Sequence, residues 1–365
     1  MKDGIVLLAK KRGPTSFSSL VDVKKALGTS KVGHTGTLDS FAEGLLVVCT
    51  GHLTKLAGNI TAFDKSYQAV IKFGSETDTL ECSGNIIRQA PLPKKDDFEK
   101  AVKKFTGEIY QSPPLFSAIH INGKRASDIA RSGSWANLPS RKVTVYKSEI
   151  IELKLTKDNL VEYAELSFSV SKGTYIRSLA RDIALECQSA GHLIALRRTR
   201  VGNFQLKDAV GFSLLNDFNI ENAIKDAEAA TKTSSETVSR TVPKTSTGTA
   251  IKSTPKSATA EQEKFQEEIK DSIKTFDFES AKLCGFEIIK LSSNSYEADF
   301  QNGKKLSFSM FQNCTLPLKK NTQIAVFSTK DIFMGLIFIN EKSHLEYKFV
   351  IPKETQKIIM NNADE

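Results

Sequence analysis

The chain has 365 residues and a hydrophobic content of 40%, enough to bury a substantial core and to build two domains. Lys and Arg number 51 against 42 Asp and Glu, and the net charge of +9 favours a polyanionic partner such as RNA. No apolar run approaches the roughly 18 residues of a membrane helix, residues 4–9 are too short for a signal-peptide core, and the 5 scattered cysteines contain no CxxC pair. These features argue against a membrane span, a disulfide framework or a zinc site, and they place the protein in the cytoplasm with reduced thiols.

In chain order, residues 5–9 read as a buried strand, and Ser18 or Ser19 is placed to cap a short helix in which Leu20, Val23 and Leu27 recur at helical spacing. Gly33-His34-Thr35-Gly36-Thr37-Leu38-Asp39 follows, a Gly/Thr-rich loop ending in a lone acid. Its glycines allow backbone angles closed to other residues, and its threonines can hydrogen-bond locally, so the loop can hold a fixed irregular shape. Residues 45–49 form an apolar run of strand length, and Tyr67, Ala69, Ile71 and Phe73 alternate as a half-buried strand. Phe98, Val102 and Phe105 share a helix face, which Pro113 and Pro114 cannot continue. The stretch 112–146 is basic and rich in turn formers. Leu166, Phe168 and Val170 alternate into Ser171-Lys172-Gly173-Thr174, after which Ile176, Leu179 and Ile183 take helical spacing, so a strand meets a helix there. Residues 192–196 read as a strand.

From 226 to 260 the composition turns to Ser, Thr, Lys, Ala and Pro without hydrophobic periodicity, the signature of a disordered linker. Beyond it, Phe265, Ile269, Ile273 and Phe276 mark an amphipathic helix, and residues 286–289, 324–327 and 333–339 mark strands. Gln301-Asn302-Gly303-Lys304 carries the signal of a tight hairpin turn, with flanks ending at Phe300 and resuming at Leu306. The division is therefore 1–225, a linker 226–260, a small β-rich unit 261–352 and a polar tail 353–365.

The loop ending in Asp39, followed by Ala42-Glu43-Gly44-Leu45-Leu46, resembles the catalytic motif of the bacterial tRNA pseudouridine synthase B family. Lys65-Ser66-Tyr67, Ser171-Lys172-Gly173-Thr174-Tyr175-Ile176-Arg177 and Leu196-Arg197-Arg198 resemble its other motifs, in the same order. The chain departs locally, with Ser40 where the family has Pro after the aspartate and Lys10-Lys11 where it has Lys-Pro; both changes loosen a turn without removing a reactive group. The resemblance implies an α+β fold with a mixed, mainly antiparallel sheet, an RNA-gripping insertion at 112–146 and a PUA-like RNA-binding unit at the C-terminus.

It also implies the chemistry. Conversion of uridine to pseudouridine breaks N1–C1′, turns the base and joins C5 to C1′, with no oxidation and hence no cofactor. The reaction calls for an ionised carboxylate beside the ribose, and Asp39 is the candidate; attack on the sugar, attack on the base and a glycal route all remain open at this level. A uridine inside a folded loop must be flipped out and its stacking replaced, a role that falls to Tyr67, which as a residue opening a strand would otherwise be core packing. Arg177 sits in the first turn of a helix, where a positive charge is disfavoured, so it should have a carboxylate partner, and the resemblance makes that partner Asp39. Tyr175 and Leu196 are candidates for the pocket wall and floor, His34 for insertion into the T-loop, and Lys10 and Lys172 for RNA contact. The implied partner is the tRNA T-arm, with no metal, no membrane, no protein partner and a monomeric enzyme. The competing readings are a guide-RNA-dependent pseudouridine synthase, against which the insertion speaks, and a non-catalytic tRNA-binding protein. Since every candidate residue precedes the linker, the C-terminal unit is expected to be a dispensable affinity module.

Overall fold

The computed structural model describes residues 3–117, 119–121, 123–132, 138–238, 260–312 and 319–352. The first half opens with β1 (Gly4–Lys10), α1 (Leu20–Leu27), β2 (Val32–His34) and β3 (Glu43–Thr50), then a 3-10 turn, α2 (Ala57–Thr61) and β4 (Lys65–Phe73). β1 is buried at all 7 positions because both faces are covered. Ile5 and Leu7 face one cluster and Val6 and Leu8 another. The α1 helix forms where expected, but its serines do not cap it. The Ser18 and Ser19 hydroxyls donate to the Thr15 carbonyl at 3.0 and 2.9 Å, because Ser19 already has helical angles and its oxygen is not turned toward the first helical amides.

The chain continues through a small hairpin of β5 (Ser75–Thr77) and β6 (Ile86–Gln89), helix α3 (Lys95–Lys104) and β7 (Gly107–Gln111). The basic stretch holds β8 (His120–Ile121), β9 (Lys124–Arg125) and α4 (Ala126–Arg131) before β10 (Arg141–Leu155). Strand β11 (Val161–Val170), helix α5 (Ile176–Glu186), β12 (Gly191–Val201) and β13 (Phe204–Gln205) complete this half. The main sheet has the order β1-β3-β12-β4-β11-β10-β7, with β2 on β3 and β13 on β12. Every pairing is antiparallel except β3 with β12, which meet only at Arg197↔Glu43 and Arg198↔Gly44. That seam requires a glycine: Gly44 has φ +109, and a Cβ there would lie 2.4 Å from the Arg198 carbonyl oxygen. The segment that carries Asp39 enters the sheet at this point.

Helix α6 (Ile220–Val238) runs through the first part of the expected linker. Its Ile220 and Ala223, with Ile224 and Ala227, pack on Val70, Tyr163 and Ile194 on the back of the sheet. The alanines that read as linker composition are strong helix formers, and a ready-made apolar surface supplies the burial that the segment lacks alone. The rest of that expected linker, residues 239–259, lies outside the described residues, as does the tail 353–365.

Helix α7 (Ala260–Ser272) lies against α1, with Ile269 in one cluster with Val6, Leu8, Leu20 and Val23. Then come α8 (Phe278–Leu283), β14 (Glu287–Lys290), α9 (Asn294–Gln301), β15 (Thr322–Phe327), β16 (Phe333–Ile339) and β17 (Leu345–Val350), the strands forming a sheet in sequence order. The hairpin expected at Asn302-Gly303 is absent: these residues end α9. Gly303 has φ +66, and the Lys304 N–H donates to the Asp299 carbonyl at 3.0 Å, closing the helix end. A positive-φ glycine serves a tight hairpin and a helix C-terminus equally well, so the dipeptide did not distinguish them. Nor does the C-terminal unit stand apart: Phe276, Phe286, Phe327, Phe333 and Phe349 share one buried cluster with Ile5, Leu7, Leu45, Leu53 and Leu56.

Candidate active site

Asp39 lies in the irregular segment between β2 and β3, and the main-chain carbonyls on both sides of it are bound by two buried cations. The Lys10 ammonium, at the end of β1, donates to the carbonyl oxygens of Ala42 at 2.6 Å, Asp39 at 3.2 Å and Ser40 at 3.4 Å. Lys10 is therefore not an RNA contact, as the sequence suggested, but an internal clamp with 1% of its surface exposed. Charge and position predicted a solvated lysine; pairing with polar backbone makes burial tolerable. Burial lowers its pKa to about 8, against the pull of Asp39 and Glu43 and with a smaller push from Arg198. From β12 the Arg198 guanidinium reaches Leu45 O at 2.8 Å, Gly36 O at 3.0 Å and Thr37 O at 3.4 Å. Ser16, also buried, accepts the Leu38 N–H at 2.8 Å and donates back to the Leu38 carbonyl at 2.9 Å. Neither Arg198 nor Ser16 was singled out from sequence. Arg198 stands in a quoted motif, whereas nothing in the sequence separates Ser16 from its serine neighbours.

With its backbone tied inward, Asp39 turns its side chain outward to Arg177. Nε of Arg177 lies 2.9 Å from Oδ2, and Nη2 donates to Oδ1 at 3.2 Å. The arginine side chain is 5% exposed and the aspartate 38%, so the cation is embedded and the carboxylate faces the open side. Nη1 also donates to Thr79 O at 2.9 Å and Nη2 to Phe116 O at 3.0 Å, which fixes the fork independently of Asp39. The carboxylate partner expected for a first-turn arginine of α5 is thus present. Glu81 is a further acid in the same field: burial raises its pKa, Arg177 opposes the shift and Asp39 adds to it.

Tyr175 precedes α5, held by a paired contact in which its N–H donates to Gln111 Oε1 at 2.8 Å and its carbonyl accepts from Gln111 Nε2 at 3.1 Å. Burial raises the pKa of its phenol, with Arg141 and Arg177 opposing. Tyr67, the third residue of β4, is half-buried opposite Phe168 on β11 and Arg198 on β12. It packs on the cluster that contains Leu38, Phe41, Phe168, Ile176 and Leu196, so the apolar candidates Tyr67 and Leu196 converge on the segment bearing Asp39. His34 closes β2, half-buried, its Nδ1 3.4 Å from the Gly36 N–H; burial and then Arg198 lower its pKa, which keeps the ring neutral. Lys172 is exposed on the strand-to-helix junction. Among the described residues no group of three or more His, Cys, Asp or Glu is arranged to hold a metal, and no helix is long and apolar enough to cross a membrane.

The family described as TruB family pseudouridylate synthase, N-terminal domain, matches residues 24–176. A tRNA pseudouridine synthase B of Treponema denticola is 40% identical over 378 residues, spanning 96% of this chain and 98% of that protein. Its counterpart in Borreliella burgdorferi is 46% identical over 210 residues, 57% of this chain and 73% of that one. Among solved structures, a Cbf5-Nop10-Gar1 complex aligns with TM-score 0.60 and 21% identity over 96% of this chain and 86% of that one, a likeness of fold.

Proposed function

The chain belongs to the TruB family of pseudouridylate synthases, and from that premise we propose how its residues convert a uridine of tRNA to pseudouridine. The protein is a tRNA pseudouridine synthase, an isomerase; its target in this reading is the T-loop uridine at position 55. The N1–C1′ bond breaks, C5 bonds to C1′, a proton leaves C5 and N1 takes one up. Asp39 is the group that engages the substrate, and the observation that carries this role is its pairing with Arg177, whose embedded fork holds the carboxylate aimed at the open side. Tyr67 stacks on the flipped base, with Leu196 below and Tyr175 beside it. His34, neutral by virtue of its burial, enters the T-loop, and exposed Lys172, Arg125 and Arg141 meet phosphates. The enzyme acts as a cytoplasmic monomer on tRNA alone.

Base-resolution pseudouridine mapping of tRNA after incubation with the purified protein tests this directly. The wild type should modify the T-loop uridine, and Asp39→Asn should form none while binding tRNA with an affinity within about threefold of wild type, since the amide keeps shape and loses charge. Multiple turnover by Asp39→Asn, or unmodified tRNA from the wild type, overturns the assignment.

A further inference from the structure

Phe17 is 69% exposed, yet it does not sit in a loose loop. Its turn is fastened from both sides. The Thr15 carbonyl accepts from the Ser18 and Ser19 hydroxyls and from the Ser19 N–H, and the Phe17 carbonyl accepts the Leu20 N–H at 3.1 Å. Inward, Ser16 holds both polar groups of Leu38, and the Gly13 N–H donates to the Ser40 carbonyl at 2.8 Å. Residues 13–17 therefore run along residues 38–40 and flank Asp39 on its main-chain side. With Ser16 turned into the protein, the Phe17 ring is turned out.

The ring has charged company. Lys24 Nζ, one helical turn into α1, lies 4.7 Å from its centroid, and Val21, four residues on from Phe17, is 43% exposed beside it. Lys11 and Lys25 are exposed on the flanking segments. A rigid, solvent-facing aromatic next to an ammonium matches a nucleotide, whose base offers a π-face and whose phosphate offers the counter-charge. A purely apolar partner would leave the lysine unused, and the patch is too small for a membrane surface.

The geometry points to Phe17 and Lys24 as a stacking platform for a second nucleotide of the tRNA, outside the pocket that takes the target uridine. This rests on the reading of tRNA as substrate. The platform lets binding energy gained away from the reacting base hold the RNA in register while that base is drawn out. It is built on the turn that pins residues 38–40, so RNA seated on it is indexed to the catalytic segment without touching it.

Equilibrium binding of tRNA at one fixed salt concentration, compared for wild type, Phe17→Ala, Phe17→Trp and Lys24→Ala, tests the platform. Loss of one stacked base should weaken Phe17→Ala about tenfold, with Lys24→Ala weaker than wild type by a smaller factor. Phe17→Trp should recover wild-type affinity, and its fluorescence should be quenched by tRNA beyond the response of Trp135, the 1 tryptophan of the natural chain. Because Phe17 is exposed, the melting temperature of Phe17→Ala should match that of the wild type. Wild-type affinity in Phe17→Ala, or a Phe17→Trp signal no different from that of the wild type, overturns the platform. Pseudouridine mapping with the wild-type protein is the separate arm: unmodified tRNA there refutes the proposed function, whereas modified tRNA together with unchanged binding in Phe17→Ala refutes the platform alone.

Discussion

At position 198 a guanidinium donates in three directions at once, to the carbonyls of Gly36, Thr37 and Leu45, and so ties together main chain on both sides of Asp39. An ammonium in its place has a shorter reach and no planar fork, and it leaves buried carbonyls unsatisfied. Arg198→Lys should therefore lower the single-turnover rate of pseudouridine formation by about tenfold or more, since small displacements of a reacting group are costly. The same substitution should change tRNA affinity by less than about threefold, because Arg198 is buried and reaches no surface. Equal losses in rate and affinity would show that the arginine supports the fold generally instead of positioning Asp39. The sequence displayed the candidate residues Asp39, Tyr67, Arg177 and His34, because they are carried by motifs. It concealed the supports, because a lysine such as Lys10 reads as solvated whether or not four main-chain carbonyls are there to receive it.

Strand β12, which supplies the Arg198 clamp, also carries a buried titratable group, His192. His192 is 5% exposed, its Nδ1 2.8 Å from the Ser75 carbonyl, and burial lowers its pKa below the usual histidine value despite that hydrogen bond. The unfolded chain takes up a proton as pH falls through about 6.5, while the folded histidine resists it, so unfolding gains protons. The stability contribution is whole above that pH and is lost as pH drops toward the lowered folded value; His34 acts with the same sign. Glu81, Glu165 and Asp182, whose carboxyls are raised, act with the opposite sign, so the informative quantity is a difference. Urea unfolding of wild type and His192→Gln at pH 7.5 and 5.5 should show a smaller acid loss in the variant; parallel losses would place the sensitivity elsewhere. At this scale sequence patterning located strands whose residues alternate or run apolar, such as β3, β4 and β11. It failed where one local signal serves two structures, as at Asn302-Gly303, and at α6, whose apolar face is only meaningful once Val70, Tyr163 and Ile194 are there to receive it.

For the molecule as a whole, the C-terminal unit is packed on the catalytic sheet, not merely attached to it. Five phenylalanines from that unit cover Ile5, Leu7, Leu45, Leu53 and Leu56, while Ile269 covers Val6 and Leu8. A chain ended after Lys225 uncovers both faces of β1 and β3, the strand that leads away from Asp39. Such a truncation should melt about 10 °C or more below the intact protein and expose dye-binding apolar surface. An undiminished melting temperature and single-turnover rate would restore the view of the unit as a separable affinity module. The same long reach has a consequence in time. Asp39 meets Arg177 across 138 residues of chain, and Gly36 meets Arg198 across 162. At roughly 5–20 residues per second, synthesis leaves the acid waiting on the order of 8 to 30 seconds before its last clamp has even been made. Throughout that interval the nascent chain carries the Asp39 segment without its Arg198 clamp, which closes only once β12 slots between β3 and β4.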